Sequence, residues 1–375
     1  MANEKLGARL KALRESIGLP LKEAALRLEF PNYQTLSNIE AGTREVKASE
    51  LQLFSRIYFC SLSNLLGEKE TERGLLLWRK TPKKKAEVER QIFYLCEQYH
   101  LLEKLLNLDT KKELGCEIRS KESIRTDTDV DTLADETRNT LGLGRRPAFS
   151  MQRILEQNYG VKIIYRRLSD IGSAASMVDN ELGPVVVINA DEPPWRRNYD
   201  IGHELFHLVT SRAVTADDVK DKTFFQNLES KAERFSSTLL LPDPEIRKEI
   251  NNRLKAQNNL AYSDLVDMAR EFGVSTIALL YRLVNLKMMN FDQVRDLSMD
   301  EDLKWIDKKA RRDDWGHAPV SERFQFLAIR CLRKGLLSRG RFAEIMEIER
   351  SGIDTFIESY GLMETEGSPV EIMAS

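Results

Sequence analysis

Two histidines four residues apart, with a glutamate directly after the first, are the residues of this chain best suited to chemistry: His203-Glu204-Leu205-Phe206-His207. On a helix, positions i and i+4 lie on one face, so both imidazoles can reach a single cation. Zinc accepts imidazole nitrogen and needs a further protein ligand plus an open position for water. Glu204, one residue along, is placed to take a proton from that water. The plain alternative is two unrelated histidines on an amphipathic helix. The chain holds only four histidines, and a chance match to this pattern is on the order of one in a hundred or less.

A third ligand has to come from a second helix. In Glu229-Ser-Lys-Ala232-Glu233-Arg-Phe235, the residues Ala232, Phe235 and Leu239 make an apolar stripe. Glu229 precedes Ala232 by three residues and shares its inward face. Glu233, at i+4 from Glu229, is the rival ligand or a supporting partner. A core-facing carboxylate is costly without a counter-charge, which a metal supplies.

The elements that must position these groups read as mixed α and β. Thr132–Leu143 is amphipathic, and Met151–Tyr159 is a short helix closed by Gly160. The runs 161–165 and 183–188 are rich in β-branched residues and bounded by turns, hence strands. Between them 174–178 is a third strand, suited as a sheet edge to hold an extended peptide by backbone pairing. Helices around 196–210 and 228–240 carry the candidate ligands, the second stopped by Pro242 and Pro244.

Length and composition bound the rest. At 375 residues the chain exceeds what one core usually organises. With 42% hydrophobic and 31% charged residues it has a globular balance. No apolar run is long enough to span a bilayer, and Met1-Ala-Asn-Glu-Lys-Leu6 lacks the apolar core of a signal peptide, so the expectation is a cytoplasmic protein with no membrane partner. Cys60, Cys96, Cys116 and Cys331 show no CxxC spacing, which points away from a disulfide framework or thiolate zinc site. A net charge of −2 excludes a protein that coats nucleic acid by bulk positive charge, though not a small DNA-reading module.

Such a module fits the N-terminus. Leu21–Leu28 and Asn32–Ala41 read as the two helices of a helix-turn-helix, with Asn32 as N-cap. Leu36 and Ile39 then point inward, while Tyr33, Gln34 and Asn38 face out to read bases, and Arg44 is placed to meet a phosphate. One such head presents a single short recognition helix, so a homodimer on a two-fold operator of double-stranded DNA is expected. Val88, Ile92, Leu95, Tyr99, Leu102 and Leu106 alternate at spacings of four and three, which suits either a dimer helix or a stripe packed on the next domain, and the homodimer is expected to be partly held by this helix. The boundaries expected are a DNA-binding head at 1–66, a charged linker with an amphipathic helix at 67–129, a zinc domain at 130–254, and a helical region of unassigned role at 255–375.

Two resemblances sharpen this. Leu6-Gly-Ala-Arg-Leu-Lys-Ala-Leu-Arg14, Glu23-Ala-Ala25, Leu36-Ser-Asn-Ile-Glu-Ala-Gly42 and Leu62-Ser-Asn-Leu-Leu66 resemble the XRE-type (lambda-repressor-like) helix-turn-helix family over residues 4–66. The stretch 196–208 followed by 229–242 is similar to the ImmA/IrrE family of zinc metallopeptidases, which pairs an HExxH helix with a later ExxA helix ending in LLxP. Ser236 and Ser237 stand where that family usually has alanines, and Glu233 replaces its usual Asn or Asp. Carried over, the resemblance makes His203, His207 and Glu229 the zinc ligands and Glu204 the catalytic base. It implies a multidomain α+β protein: an all-α head, a gluzincin-like domain with a small sheet, and a helical C-terminal region. It also implies an endopeptidase that cuts a repressor or another regulatory protein. The competing reading keeps the DNA-binding head and makes the peptidase-like domain a sensor without proteolysis. Tyr199, close in sequence, and His317, a stray imidazole, are candidates for stabilising an oxyanion, each better explained as structural.

Overall fold

The computed structural model describes residues 2–67, 73–108, 113–168, 174–257, 259–311 and 320–360. His317 and parts of the linker expected at 67–129 lie outside them. Five short helices come first: α1 (Ala2–Ser16), α2 (Leu21–Arg27), α3 (Tyr33–Glu40), α4 (Ala48–Ile57) and α5 (Leu62–Leu66). They close around Leu10, Leu28, Leu36, Ile39, Phe54 and Leu65. The Asn32 side chain accepts a hydrogen bond from the Thr35 N–H at 3.0 Å, which sets where α3 begins.

A two-residue strand, β1 (Leu77–Trp78), and the long helix α6 (Lys85–Leu105) follow. Next come α7 (Asp127–Thr140), α8 (Met151–Tyr159), β2 (Lys162–Arg166), β3 (Ala174–Asp179), β4 (Gly183–Asn189) and α9 (Pro194–Thr210). The short α10 (Ala216–Lys220) precedes α11 (Lys222–Leu240) and α12 (Asp243–Gln257). The helices that follow among the described residues are α13 (Tyr262–Glu271), α14 (Thr276–Asn285), α15 (Phe291–Met299), α16 (Glu301–Ala310), α17 (Glu322–Arg333), α18 (Arg339–Met346) and α19 (Ile353–Glu358). No helix among the described residues is long and apolar enough to cross a membrane.

The sheet runs β1-β3-β4-β2, with β2 parallel to β4 and the other pairs antiparallel. Strand alternation sends two sets of side chains to two different cores. Ile163, Tyr165, Ala174, Val186 and Ile188 join the core that contains Leu205, Phe206, Phe235 and Leu239 of α9 and α11. Ile164, Ala175, Met177, Val185 and Val187 meet α6 and the C-terminal helices.

That second core decides between the two readings of the 4-3 stripe. Ile92, Leu95, Tyr99 and Leu102 are buried against the sheet and against Phe324, Ala328 and Cys331 of α17. The stripe is therefore consumed inside the chain and is not a dimer seam. Its rhythm gave no warning, because a helix laid on a sheet and a helix in a coiled coil bury the same positions. Residues 67–90 of the expected linker, whose charge points to an exposed connector, also depart from expectation. Their apolar residues Leu76 and Trp78 enter the same buried cluster.

Candidate active site

Helix α9 begins with Pro194 at its first turn, a favoured start, and its residues from Asp200 to Thr210 are all buried. It passes close to α11, and Gly202 makes that approach possible: a Cβ there would stand 2.6 Å from Ser236 Oγ. The close crossing lets a side chain from α11 reach between the two histidines.

Glu229 does so. Its Oε2 lies 3.2 Å from His203 Nε2 and its Oε1 3.1 Å from His207 Nε2. The ligand atoms of the three residues all lie within 4.8 Å of one another. Although burial works against it, hydrogen bonds from both histidines hold the Glu229 carboxyl well below the usual carboxylate range. Two imidazole nitrogens and a carboxylate oxygen are a donor set suited to zinc. Glu233, the rival, is not in this group. Its carboxylate pairs with Arg79 and comes only within 3.9 Å of the far nitrogen of His203, Nδ1.

Glu204 is fully buried beside them. Its Oε2 accepts a hydrogen bond from Ser176 Oγ of β3 at 2.6 Å. Its Oε1 has no hydrogen-bond partner among the described residues. Burial pushes its carboxyl up to about 7. One oxygen is thus anchored and the other left for a proton from outside the protein.

Three participants escaped the sequence reading. Ser176 follows from inward alternation on β3 once that strand is placed. Asp200 sits one helical turn before His203, fully buried, and burial raises its carboxyl to about 6. Arg79, whose Nη1 lies 2.9 Å from Asp200 Oδ1, comes from far earlier in the chain, and no local pattern marks it. Tyr199 is accounted for structurally, since its hydroxyl donates to the Glu233 carbonyl at 2.9 Å. The expected edge strand, β3, is itself flanked by β1, with Leu77 opposite Ser176 and Trp78 opposite Ala175.

In the head, Leu36 and Ile39 of α3 are buried, while Tyr33, Gln34 and Asn38 are exposed. The helix is braced from behind by Arg14 of α1, which meets both Glu40 oxygens at 2.7 and 3.0 Å. Arg44 is half-buried and engaged, its guanidinium reaching both Glu50 oxygens at 2.8 and 3.2 Å. A phosphate contact by Arg44 has to compete with that pair.

These features define a class: a helix-turn-helix head followed by an HExxH peptidase-type domain. Residues 10–65 match the model of the helix-turn-helix family, and residues 156–284 match that of the IrrE N-terminal-like domain. The chain joins an XRE-type helix-turn-helix segment to an ImmA/IrrE-like metallopeptidase segment. None of the curated proteins and none of the solved structures matches it.

Proposed function

We propose that the protein is a DNA-binding transcriptional regulator whose ImmA/IrrE-like domain is a zinc-dependent endopeptidase acting on a repressor or another regulatory protein. The observation that carries this is the placement of Glu229 between the Nε2 atoms of His203 and His207, with the buried Glu204 alongside. Those three residues would hold the zinc. When bound, the ion would supply the Lewis acidity that eases deprotonation of a water near the scissile carbonyl. Glu204 accepts that proton at Oε1 and passes it to the leaving amine, while Ser176 keeps the carboxylate turned toward the site. In the head, Tyr33, Gln34 and Asn38 read operator bases, and two heads act together as a homodimer on a two-fold site.

A second reading, a regulator that senses a ligand or partner without proteolysis, draws support from β1, which lies along the strand a substrate would use. New peptide N-termini, tracked by mass spectrometry, separate the two. The zinc-loaded chain and its Glu204→Gln variant are each incubated with a proteome-derived peptide library. Termini that appear with the parent and vanish with Glu204→Gln support the peptidase. Identical termini in both samples remove it and leave the sensor.

A further inference from the structure

The segment Gly74-Leu-Leu-Leu-Trp-Arg79 follows β3 from one end to the other. The Gly74 N–H donates to Asp179 Oδ2 at 2.9 Å, Leu77 and Trp78 pair with Ser176 and Ala175, and the Arg79 N–H points to the Ala174 carbonyl at 3.4 Å. An antiparallel strand next to the HExxH helix is where an extended peptide gains backbone pairing. The residue opposite Leu77, Ser176, is also the one that anchors Glu204. This stretch of chain therefore runs, paired as an extended strand, beside the candidate catalytic carboxylate.

Its side chains split accordingly. Leu76 and Trp78 enter the core beneath α6. Leu77 turns to the other face and lines a cavity of about 220 Å³ together with Ser176, His207, Val214 and Val219. Two residues on, Arg79 reaches Asp200 and Glu233 and lines a second cavity, of about 440 Å³, with Tyr199 and Trp195. Asp200 is a fully buried carboxylate whose Oδ2 has no hydrogen-bond partner among the described residues. Such a group calls for a cation, and a planar guanidinium suits it.

We infer that β1 is a resident pseudosubstrate on the peptide-binding edge, and that the site takes extended segments carrying an apolar side chain followed two residues later by arginine. This rests on the peptidase reading for the identity of the edge, and it names the substrate class. Two paired residues make a short ladder, so a matching peptide displaces it by taking over the same contacts. Leu77 marks the apolar subsite beside His207, and Arg79 marks the acidic subsite at Asp200 and Glu233.

The test uses the full chain in a Glu204→Gln background, which keeps the probe intact. A fluorescein-labelled peptide of the sequence Gly-Leu-Leu-Leu-Trp-Arg-Lys is titrated by polarisation, and zinc content is measured in parallel. Arg79→Glu, which repels the segment from Asp200 and Glu233, should raise affinity for the probe about tenfold, the gain expected where the edge is free in roughly one chain in ten. Leu77→Pro removes the N–H facing Ser176 without touching the charges and should act in the same direction, with faster hydrogen exchange at Ser176. A probe with glutamate in place of arginine should lose the gain. Equal affinity in the parent and in both folded variants overturns the inference, as does a glutamate probe that binds as well as the original. Zinc present with no gain in probe binding sinks this inference and spares the peptidase reading. A gain in binding without zinc supports the edge assignment and sinks the peptidase.

Discussion

Lys162 Nζ lies 2.8 Å from Glu103 Oε2, and neither side chain touches solvent. Arg323 Nη1 meets the other Glu103 oxygen at 2.7 Å, and the Leu182 carbonyl accepts from Lys162 at 2.6 Å. One carboxylate thus joins α6, β2 and α17. Ion pairs taken wholly out of water add little net stability, but losing one partner strands the other.

Lys162→Met should accordingly cost about 3–5 kcal/mol in unfolding free energy, read by urea titration. Adding Glu103→Leu and Arg323→Met to it should restore part of that loss, because the stranded charges go too. A single variant that loses less than about 1 kcal/mol would mean the pair is hydrated in solution.

Metal content tests the site directly. The purified chain should carry about one zinc, read by elemental analysis. His203→Ala should abolish it, whereas Glu204→Gln should retain it. Unchanged zinc in His203→Ala would displace the metal site from α9.

Gly202 and Ser236 should behave as a coupled pair. Gly202→Ala forces a methyl against Ser236 Oγ and should cost about 1–3 kcal/mol of stability in a thermal melt. Ser236→Ala leaves only a Cβ at 3.5 Å, an ordinary contact, and should recover most of the loss in the double variant. Strict additivity of the two changes would show that α9 and α11 do not meet there.

Glu156 on α8 is buried, and desolvation pushes its carboxyl up to about 7 from an ordinary 4.5. A raised carboxyl holds its proton in the fold, so its favourable contribution is complete below pH 4.5 and is lost as pH rises through 7. The difference is about 3 kcal/mol across that window. Glu156→Gln should flatten the stability profile between those pH values, and an unaltered profile would show the carboxyl to be solvated.

For the head, Gln34→Ala should reduce discrimination between operator and unrelated DNA by about 1–3 kcal/mol. Arg44→Ala should weaken all sequences alike and shallow the salt dependence, provided phosphate outcompetes Glu50 for the guanidinium. Unaltered operator preference in Gln34→Ala would place base reading elsewhere than α3.

Much of the architecture was legible because it follows from local rules. His203 and His207 share a helix face by spacing alone, Asn32 caps α3 by side-chain chemistry, and Gly160 ends α8 with a left-handed backbone. What escaped depends on distant partners. Leu77 and Trp78 become a strand only because β3 offers them an edge, and Arg79 finds Asp200 across more than a hundred residues of chain. The stripe on α6 was visible, but not what covers it, since apolar periodicity names a buried face and is silent on its cover.

The two-faced sheet has a consequence for how the protein is made. One side of β3 and β4 is covered by α9 and α11, while the other is covered by α6 and by α17 and α18, which lie more than a hundred residues further along the chain than the sheet. The head, with its own core, can fold and meet DNA well before those last helices are made. A nascent chain cut short near residue 310 would keep the histidine helix and the recognition helix. It would also leave open to water the apolar surface of the sheet and of α6 that Phe324, Ala328 and Cys331 cover. Such a truncated product is expected to be a substrate for quality control, which ties the candidate metal site to the helices that cover the far face of the same sheet.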